Sequence, residues 1–400
     1  MSVLQDEDKV SYHATVITGM EKLAGEEVGE KLKVQPIVNQ GHVRFESAAD
    51  PNDVVSLRSV DNVYAVVGRQ TPDKMPQNEQ ELKEKLKSFH ESLDWTTALA
   101  AWRKVARFDR GDVATILTRL SISSDGGDAA ASQLVKDQKP KFRVTCYRAG
   151  DGHGFQSGEA ACVMGGIIND TYGWPVSMKE FDLEVVLFVK DKEWTVSLSL
   201  TKDSLHRRNL TSLGVTTLRA TVCYCMLRLA ELELGDIVCD PLAGTSAILV
   251  ESAIAFPHTF GLNADHHNVA IAHSFDNTAA IANDPKNGPT GVLQFDSSKM
   301  PLRTACVDVF VTDMPFGKRI GTKTINSVLY PKLVREMSRV ARPSTGRAIL
   351  LTQDYKNLNK VLDSEWSRKC WKTRARIFLK LGNLATYIYC LKRTSYVISN

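Results

Sequence analysis

The sequence contains no run of about 18 apolar residues, the minimum length of a membrane-spanning helix. Its first residues, MSVLQDEDKVSYHATV, carry acidic side chains and lack the apolar segment of a secretory signal peptide. These two absences argue against membrane insertion and secretion. We therefore expect a protein of the cytoplasm, with the nucleus as an additional compartment, and no membrane partner.

Cysteine is scarce and scattered along the chain. The 400 residues include eight cysteines, and none of them has the Cys-x-x-Cys spacing of a zinc site. The closest pair, Cys223 and Cys225, would lie on opposite sides of a helix. We interpret the cysteines as reduced, mostly buried thiols of an intracellular protein, and we predict no metal site.

The basic residues are clustered although the net charge of +4 is small. Length and composition are otherwise ordinary: 400 residues predict two or three domains, and 43% hydrophobic with 24% charged residues is typical of globular proteins. Clustered cations can bind a polyanion, whereas a solvated face with charged neighbours is the alternative for any one cluster. The clusters are Lys139, Lys141, Arg143 and Arg148; His206, Arg207 and Arg208; Lys318, Arg319 and Lys323; and Arg368, Lys369, Lys372, Arg374 and Arg376.

The first half of the chain is predicted to be α+β with short antiparallel sheets. Residues 123–141 are rich in glycine, serine and alanine, which is typical of a linker or loop. The expected elements are strands at Tyr12–Ile17 and His42–Phe45, a helix at Glu21–Leu32, a helix followed by a strand within Leu57–Gly68, a strand at Phe142–Tyr147, a helix at Ser157–Tyr172, and strands at Leu183–Val189 and Trp194–Leu200.

From Thr216 onward, helices alternate with apolar strands. This alternation predicts a parallel sheet that binds its ligand at the carboxyl ends of the strands. The expected helices are Leu218–Leu232, Ser246–Ala255, Asn268–Asn283 and Lys332–Val340, and the expected strands are Asp236–Cys239, Thr259–Ala264, Val307–Thr312, Ala348–Thr352, Ala375–Lys380 and Tyr387–Lys392.

The segment DIVCDPLAGTSAILVESA predicts a ligand-binding turn between a strand and a helix. A dinucleotide fingerprint would need three glycines, and only Gly244 is present; the lysine of a phosphate-binding P-loop is also missing. Asp240 instead places an acid at the tip of the strand. An acid in this position suits a ligand that carries an ammonium and hydroxyl groups better than one that carries phosphates.

Two further acids follow at the next strand ends. Asp265, about 25 residues after Asp240, is spaced to bind the hydroxyls of a ribose. Asp296 closes a short apolar stretch and could accept a hydrogen bond from the amine of adenine. Each acid alone is equally explained as a helix cap or turn residue. The ordered set of three favours S-adenosylmethionine.

The strand Val307–Thr312 ends in Asp313-Met314-Pro315-Phe316-Gly317, directly before Lys318. The amine of guanine is a poor nucleophile because its lone pair is delocalised into the ring. A carboxylate and a backbone carbonyl that accept its two N–H groups would free that lone pair for attack on a methyl sulfonium. Pro315 stiffens the loop, Phe316 offers a surface for base stacking, and no cysteine nucleophile for carbon methylation is present in the loop.

Several segments resemble a known family. They are DSLHRRNLTSLGVTTLRATVCYCMLRLA (203–230), DPLAGTSAILVESA (240–253) and VTDMPFGKRIGTK (311–323), with LRSVDN (57–62) and KFRVTCYRAGDGHGF (141–155) in the first half. In these segments the chain resembles the THUMP-domain tRNA guanosine-N2 methyltransferases, most closely the THUMP domain-containing protein 3 group. The resemblance covers nearly the whole chain.

The resemblance implies a domain organisation and a reaction. It implies an α+β ferredoxin-like domain at 1–122, a linker at 123–140, a THUMP RNA-binding domain at 141–202 and a Rossmann-like class I methyltransferase domain at 203–400. The implied reaction is S-adenosyl-L-methionine-dependent methylation of a tRNA guanosine at N2, in the acceptor stem near position 6 or 7. The implied partners are tRNA and a small zinc-binding activator subunit, in a heterodimer.

The resemblance also assigns roles to residues, position by position. Asp313, Pro315 and Phe316 fall at the target base and are the catalytic candidates. The RNA-binding candidates are Lys141, Arg143, Arg148, Lys318 and Arg319. The cofactor-binding candidates are His206, Arg207, Thr217, Arg219, Asp240, Leu242, Ala243, Gly244, Thr245, Asp265, His266, Asp296 and Ser297.

The chain departs from the family pattern in its cofactor loop. Ala243 and Ser246 stand where the family usually has cysteine and a second glycine, and Val215 stands where it has proline. A side chain at Ser246 could crowd the cofactor. The rival hypothesis is therefore an RNA-binding scaffold with little or no activity; a methyltransferase of DNA or of protein amides is a third alternative, disfavoured by the THUMP-like half.

Overall fold

The computed structural model describes residues 9–120, 137–214, 216–317 and 322–398, which form two compact units. Unit 1 comprises residues 9–15, 25–57 and the described part of 62–204; unit 2 comprises 16–24, 58–61 and the described part of 205–398. Most of the expected linker at 123–140 lies outside the described residues. No helix in the described part of the chain is long and apolar enough to cross a membrane.

Unit 1 contains one seven-stranded sheet in the order β2-β3-β1-β4-β7-β6-β5. Its strands are β1 Val10–Thr15, β2 Ile37–Asn39, β3 His42–Ser47, β4 Asn62–Gln70, β5 Phe142–Ala149, β6 Leu183–Lys190 and β7 Glu193–Ser199. The helices of the first half of the chain are α1 Glu21–Leu32, α2 Pro51–Val55, α3 Glu79–Glu91, α4 Thr96–Ala106, α5 Val113–Leu117 and α6 Ser157–Tyr172.

This architecture corrects two expectations for the first half. Strands from before and after residues 121–136 share one sheet, because β4 pairs with β7, and β5 runs parallel to β6. The sheets are therefore not short and wholly antiparallel. The expected helix within Leu57–Gly68 is wrong as well: the helix is α2, which begins earlier because the Asp50 side chain caps it and Pro51 starts its first turn.

Helix α3 was not predicted from the sequence, although neighbouring residues explain where it forms. The side chain of Asn78 accepts a hydrogen bond from the Glu81 N–H group and so satisfies a donor at the helix start. Leu82, Leu86 and Phe89 recur at intervals of four and three residues and are buried. That spacing places them on one face of the helix, which packs inward.

Unit 2 is built on a second seven-stranded sheet in the order β10-β9-β8-β11-β12-β14-β13. Its strands are β8 Ile237–Asp240, β9 Phe260–Asp265, β10 Thr290–Gln294, β11 Val309–Asp313, β12 Arg347–Thr352, β13 Trp371–Leu381 and β14 Leu384–Arg393. Its helices are α7 Ala220–Leu229, α8 Ala247–Ala255, α9 Asn268–Ala282, α10 Lys323–Val340, α11 Tyr355–Leu362 and α12 Glu365–Cys370, with a 3-10 turn at Leu205–Arg207.

Strands β8 to β12 are parallel, and the closing hairpin of β13 and β14 is antiparallel, as the sequence predicted. The strand order reverses between β8 and β11, so their carboxyl ends border the crevice where a doubly wound sheet binds its ligand. One boundary differs markedly. Helix α10 begins nine residues before Lys332, because the Thr322 side chain caps it and the helix continues through Pro331.

Candidate active site

Two acids end adjacent parallel strands at the crevice: Asp240 on β8 and Asp313 on β11. The Asp240 side chain is only 2% exposed, and its Oδ1 accepts hydrogen bonds from the Thr312 hydroxyl at 2.7 Å and the Leu242 N–H at 3.1 Å. Burial raises the pKa of Asp240 to about 7, and these two hydrogen bonds act in the opposite direction. Ionisation of the buried Asp240 side chain is therefore costly near neutral pH.

Asp313 has an unsatisfied oxygen. Its side chain is half-buried, and its Oδ1 is shielded from solvent without a hydrogen-bond partner among the described residues. Burial, and secondarily the charge of Asp240, raise the pKa of Asp313 well above its usual range. Buried polar atoms are nearly always paired in folded proteins, so an unpaired carboxylate oxygen at a sheet crevice indicates a functional group.

The loop that follows Asp313 is tethered on both sides. The Met314 N–H donates to the Leu351 carbonyl on β12 at 2.9 Å. The Pro315 carbonyl accepts two hydrogen bonds, from Asn326 Nδ2 at 2.8 Å and from the Tyr330 hydroxyl at 2.6 Å. These tethers fix the backbone on which the Asp313 carboxylate and the Met314 carbonyl would receive an amine.

Behind this loop lies a buried polar network that the sequence reading missed. The Tyr330 hydroxyl is 2.9 Å from Thr352 Oγ1, which also accepts from the Asp354 N–H at 2.9 Å. Asn326 Nδ2 lies 3.1 Å from Asp354 Oδ2, which also accepts from Asn357 Nδ2 at 2.8 Å. The one sequence signal was the spacing of Asn326 and Tyr330, four residues apart and therefore on one face of a helix.

The loop after Asp240 leaves room for a cofactor. Gly244 has φ of +54°, and a Cβ atom added there would meet no atom within 4 Å. The Gly244 N–H donates to Asp265 Oδ2 at 3.1 Å, and its carbonyl accepts from the Ser274 hydroxyl at 3.0 Å. The Ala243 N–H donates to the Ala264 carbonyl at 2.8 Å. Hydrogen bonds to Asp265, Ser274 and Ala264 thus fix the backbone of the loop, while the space beside Gly244 stays open. This arrangement fits a ligand that lies against the turn.

Ser246 adopts a backbone conformation that favours glycine. Its φ is +61°, its side chain is fully buried, and its hydroxyl has no hydrogen-bond partner among the described residues. The replacement of the family's second glycine therefore has a local energetic cost. The side chain lies inside the loop rather than on a solvent-accessible surface.

Asp265 holds two backbone segments at the end of β9. Its Oδ1 accepts from the His267 N–H at 2.9 Å, and its Oδ2 accepts from Gly244. Each carboxylate oxygen has a second lone pair, so these bonds orient the group and leave it able to accept from ribose hydroxyls. His266 beside it is exposed, with Nδ1 3.5 Å from Asp265 Oδ1.

Asp296 and Ser297 follow β10 in a tight turn. Asp296 is exposed and accepts hydrogen bonds from the N–H and the hydroxyl of Ser298, at 2.8 and 2.9 Å; the backbone bond is the main reason why its pKa is lowered. Ser297 is buried. Asp296 therefore serves as a turn residue in this structure, with the adenine contact still a prediction.

The cofactor-binding candidates that precede α7 divide into two groups: Thr217 borders the cofactor loop, and the other three have different surroundings. Thr217 accepts from the Gly214 N–H at 2.8 Å and lies 3.4 Å from the Thr245 hydroxyl, so it borders the cofactor loop. Arg219 forms an ion pair with Asp61 at 3.2 Å instead. His206 is half-buried, and burial, then the charge of Arg219, lower its pKa. Arg207 is exposed.

The RNA-binding candidates of unit 1 differ in how freely their charges are presented. Lys141 is exposed, whereas Arg143 forms an ion pair with Glu184 at 2.8 Å and Arg148 donates to the Phe155 carbonyl. Lys139 of the same sequence cluster is 3% exposed, because its ammonium group is bound to backbone carbonyls, so its expected surface position is wrong. Lys318 and Arg319 lie outside the described residues.

All eight cysteines are free thiols. Within the described ranges, no group of three or more histidine, cysteine, aspartate or glutamate side chains is arranged to hold a metal ion.

Comparisons with known proteins agree with this geometry. The family model described as UPF0020, RMKL-like, methyltransferase domain, matches residues 207–381. The Mus musculus protein named tRNA (guanine(6)-N(2))-methyltransferase THUMP3 is 35% identical, over 97% of this chain and 89% of that protein. Its Homo sapiens counterpart is 34% identical, over 96% of this chain and 88% of that protein. The chain belongs to the THUMP3 family of methyltransferases.

Solved structures support the methyltransferase fold independently. TrmN from Thermus thermophilus superposes with a TM-score of 0.75 at 20% identity, over 96% of this chain and 99% of that one. SMU.472, a putative methyltransferase complexed with SAH, gives a TM-score of 0.70 at 13% identity, over 98% and 100%. The Rossmann-like fold of unit 2, expected from the sequence, is confirmed. The comparisons give no support to an inactive scaffold.

Proposed function

We propose that this protein methylates N2 of a tRNA guanosine, in the acceptor stem near position 6 or 7. The observation that carries the proposal is the unpaired Oδ1 of Asp313 beside the tethered Met314-Pro315 backbone. An exocyclic amine has two N–H groups, and this site offers a carboxylate and a carbonyl as two acceptors. S-adenosylmethionine supplies an electrophilic methyl group when bound.

The residues of the crevice divide the work of binding and reaction. Asp240 offers a carboxylate for the ammonium of the cofactor, the Gly244 turn admits the cofactor, and Asp265 accepts from ribose hydroxyls. Asp313 and the Met314 carbonyl orient the amine lone pair toward the methyl carbon, and Phe316 supports the base by stacking. The methyl group of the bound cofactor would replace one hydrogen of N2, and Asp313 would accept the proton that N2 releases.

The division of the first half into a ferredoxin-like domain and a THUMP domain remains part of this proposal. In it, residues 1–122 and 141–202 flank the linker 123–140 and hold the tRNA 3′ end, while 203–400 carry the reaction. The exposed Lys141 supports a contact with RNA phosphates. Arg143 would have to exchange Glu184 for a phosphate to contribute.

The test is the nucleoside product. Purified protein, S-adenosylmethionine and unmodified tRNA should yield N2-methylguanosine in the fragment that contains positions 6 and 7, measured by nuclease digestion and mass spectrometry. Tyr396→Ala, an exposed aromatic substitution outside the crevice, is the control and should retain activity. A methylated adenosine, or a product only in RNA other than tRNA, would contradict the proposal.

We also propose that the activator subunit docks on the free edge of the unit 2 sheet at β10. Strand β10 has a pairing partner on one side, β9, and an edge strand offers unpaired backbone groups to another chain. Large apolar side chains around it are exposed, among them Phe260, Leu293, Val269 and Phe275. Such a surface is typical of a protein interface.

The docking proposal is tested by coexpression of this chain with the zinc-binding activator subunit. Leu293→Lys, at a position 41% exposed, should abolish copurification without unfolding the chain. Val328→Lys, an equivalent change at a position of α10 that is 57% exposed, should leave copurification intact. Undiminished binding by Leu293→Lys, or no binding by the wild-type chain, would refute the interface.

A further inference from the structure

An aromatic cluster lies at the active-site edge of unit 2, on the outer hairpin of the sheet. In the strand register, Phe378 of β13 lies opposite Tyr387 of β14, and Tyr387 lies opposite Thr352 at the carboxyl end of β12. Thr352 is bonded to Tyr330, which holds the catalytic loop. Neighbouring strands are about 4.8 Å apart, so Phe378 lies about 14 Å from the end of β11, three strands away.

A guanidinium group sits among the rings of this cluster. Arg376 has its guanidinium carbon 3.9 Å from the centre of the Tyr387 ring and 5.2 Å from that of Tyr355. The ring centres of Phe378 and Tyr387 are 5.6 Å apart at 64°. Phe378 is 45% exposed, while Tyr355 and Tyr387 are half-buried beneath it. The cluster therefore presents one aromatic face and one cation to the solvent.

The charge of strand β13 is not neutralised by carboxylates of the described residues. Lys372, Arg374, Arg376 and Lys380 are exposed, and no described carboxylate lies within 4.0 Å of their charged groups. Arg368 and Lys369 of the same sequence cluster differ, since they pair with Asp363 and Glu365. In the basic cluster of the sequence, Arg368 and Lys369 are thus paired with carboxylates, whereas Lys372, Arg374 and Arg376 are not paired with described ones.

A protein strand is a poor match for this surface. At its outer edge the Lys380 N–H donates to the Thr18 carbonyl at 3.2 Å, and Gly19 lies against the Phe378 carbonyl. These contacts occupy backbone groups that an added strand would need. The exposed features are side chains. Arg376, Phe378 and Lys380 alternate along β13 and share one face, whereas the register shift between Thr373 and Ala375 puts Lys372 on the other face. An aromatic ring flanked by cations is typical of surfaces that bind unstacked RNA.

We propose that Phe378, supported by Arg376 and Tyr387, stacks an unpaired nucleotide of the RNA substrate next to the target guanosine, while Lys380, on the same face of β13, binds a neighbouring phosphate. A guanine amine cannot reach an enclosed carboxylate while its base stays paired and stacked, so the target must leave its stack. The neighbouring nucleotide then loses a stacking partner, and Phe378 replaces it. This inference rests on the proposed RNA methylation.

The decisive experiment uses full-length protein with tRNA that carries 2-aminopurine beside the target guanosine. Wild-type protein should quench the fluorescence of 2-aminopurine on binding, and Phe378→Ala should lose this quenching. Phe378→Ala should also lower kcat/KM for tRNA about tenfold, through KM. Phe378→Trp should restore both signals, because it retains an aromatic face. Binding of S-adenosylmethionine should not change in either variant.

Charge is tested separately by salt dependence. Lys380→Ala should reduce the slope of log affinity against log salt by about 0.7. Arg368→Ala, which removes an ion-paired arginine, should leave the slope nearly unchanged. Tyr396→Ala, at a position 44% exposed, is the matched aromatic control.

The outcomes distinguish this inference from the proposed function. If wild-type protein makes no N2-methylguanosine, the proposed function fails. If wild-type protein makes it and Phe378→Ala matches wild type in quenching and in kcat/KM for tRNA, the stacking surface is refuted alone. If Phe378→Ala retains its tRNA parameters and loses the activator subunit, the surface is a protein interface and the inference is likewise wrong.

Discussion

The hydroxyl of Tyr330 donates a 2.6 Å hydrogen bond to the carbonyl of Pro315. Tyr330 is fully buried, on a helix that is separate from the catalytic loop in sequence. The bond therefore anchors the Met314-Pro315 backbone to the helix. This backbone must be held in place because it presents hydrogen-bond acceptors to the guanine amine. Rate depends steeply on such positioning, because a displacement of about 1 Å can cost about 10²-fold.

The first prediction concerns this positioning role. Tyr330→Phe should lower the single-turnover methylation rate about tenfold and leave KM for tRNA and the affinity for S-adenosylhomocysteine unchanged. Thr352→Val is the control: it removes the hydrogen bonds of Thr352 to the Tyr330 hydroxyl and the Asp354 N–H, and keeps the bond from Tyr330 to Pro315. Equal rates for the two variants would show that Tyr330 acts only on stability.

The second prediction concerns Asp313. Asp313→Ala should bind S-adenosylhomocysteine with nearly wild-type affinity in calorimetry, while the single-turnover rate falls about 10²-fold or more. A parallel loss of cofactor affinity would move Asp313 from the base to the cofactor.

The third prediction is that the methylation rate rises with pH. Asp313 can take up the proton released from N2 only when it is ionised, and its pKa is raised by burial and by Asp240. The rate should therefore rise with pH and level off only above the ordinary range of aspartate. Asp240→Asn removes the neighbouring charge and should shift the profile to lower pH. A flat profile between pH 5 and pH 9 would contradict the role of the ionised carboxylate.

The fourth prediction concerns the cost of the charge on Asp240. Its pKa lies at about 7 in the folded state against an ordinary 3.8, so the folded state binds the proton more tightly and stability falls as pH rises through this interval. The interval corresponds to about 4 kcal/mol at most. Both donors bond to Oδ1, which asparagine retains.

Asp240→Asn should accordingly stabilise the protein by more at pH 8 than at pH 5, in urea denaturation at both values, and weaken S-adenosylmethionine binding. Thr312→Val, which removes one donor and no charge, is the control and should destabilise. A gain that is independent of pH would exclude the buried charge as its cause.

The fifth prediction concerns Ser246. Ser246→Gly should stabilise the protein by about 1–3 kcal/mol, since it removes a left-handed non-glycine residue and an unpaired buried hydroxyl. Ser344→Gly, at an exposed position with φ of +67°, reports the backbone contribution alone and should gain less. If cofactor affinity also rises in Ser246→Gly, the side chain does crowd the cofactor.

The sequence allowed the strand-end acids to be predicted because hydrophobic alternation marks where strands stop. Asp240, Asp265 and Asp313 could thus be assigned to one edge of a parallel sheet. The polar pairs around the crevice could not: Arg219 bonds with Asp61, 158 residues away, and Asn326 with Asp354, which caps a different helix. Such pairs follow from packing between elements distant in sequence, which local patterns do not contain.

Arg143 illustrates the same limit for charge. In sequence it belongs to a basic cluster, but parallel pairing of β5 with β6 brings it beside Glu184, 41 residues later. Whether a cation is free for a ligand depends on the register of strands. The uncompensated cations of β13 could be recognised only once their neighbours were known.

The second unit takes in residues 16–24 and 58–61, far ahead of its main body. Arg58 pairs with the buried Glu251, which also accepts from Asn209 at 3.0 Å, and 193 residues separate Arg58 from Glu251. At about 5–20 residues per second of synthesis, Arg58 leaves the ribosome roughly 10–40 s before its partner. The nascent chain must keep these early segments soluble for that time, so translation speed and chaperone access are expected to govern the yield of active protein.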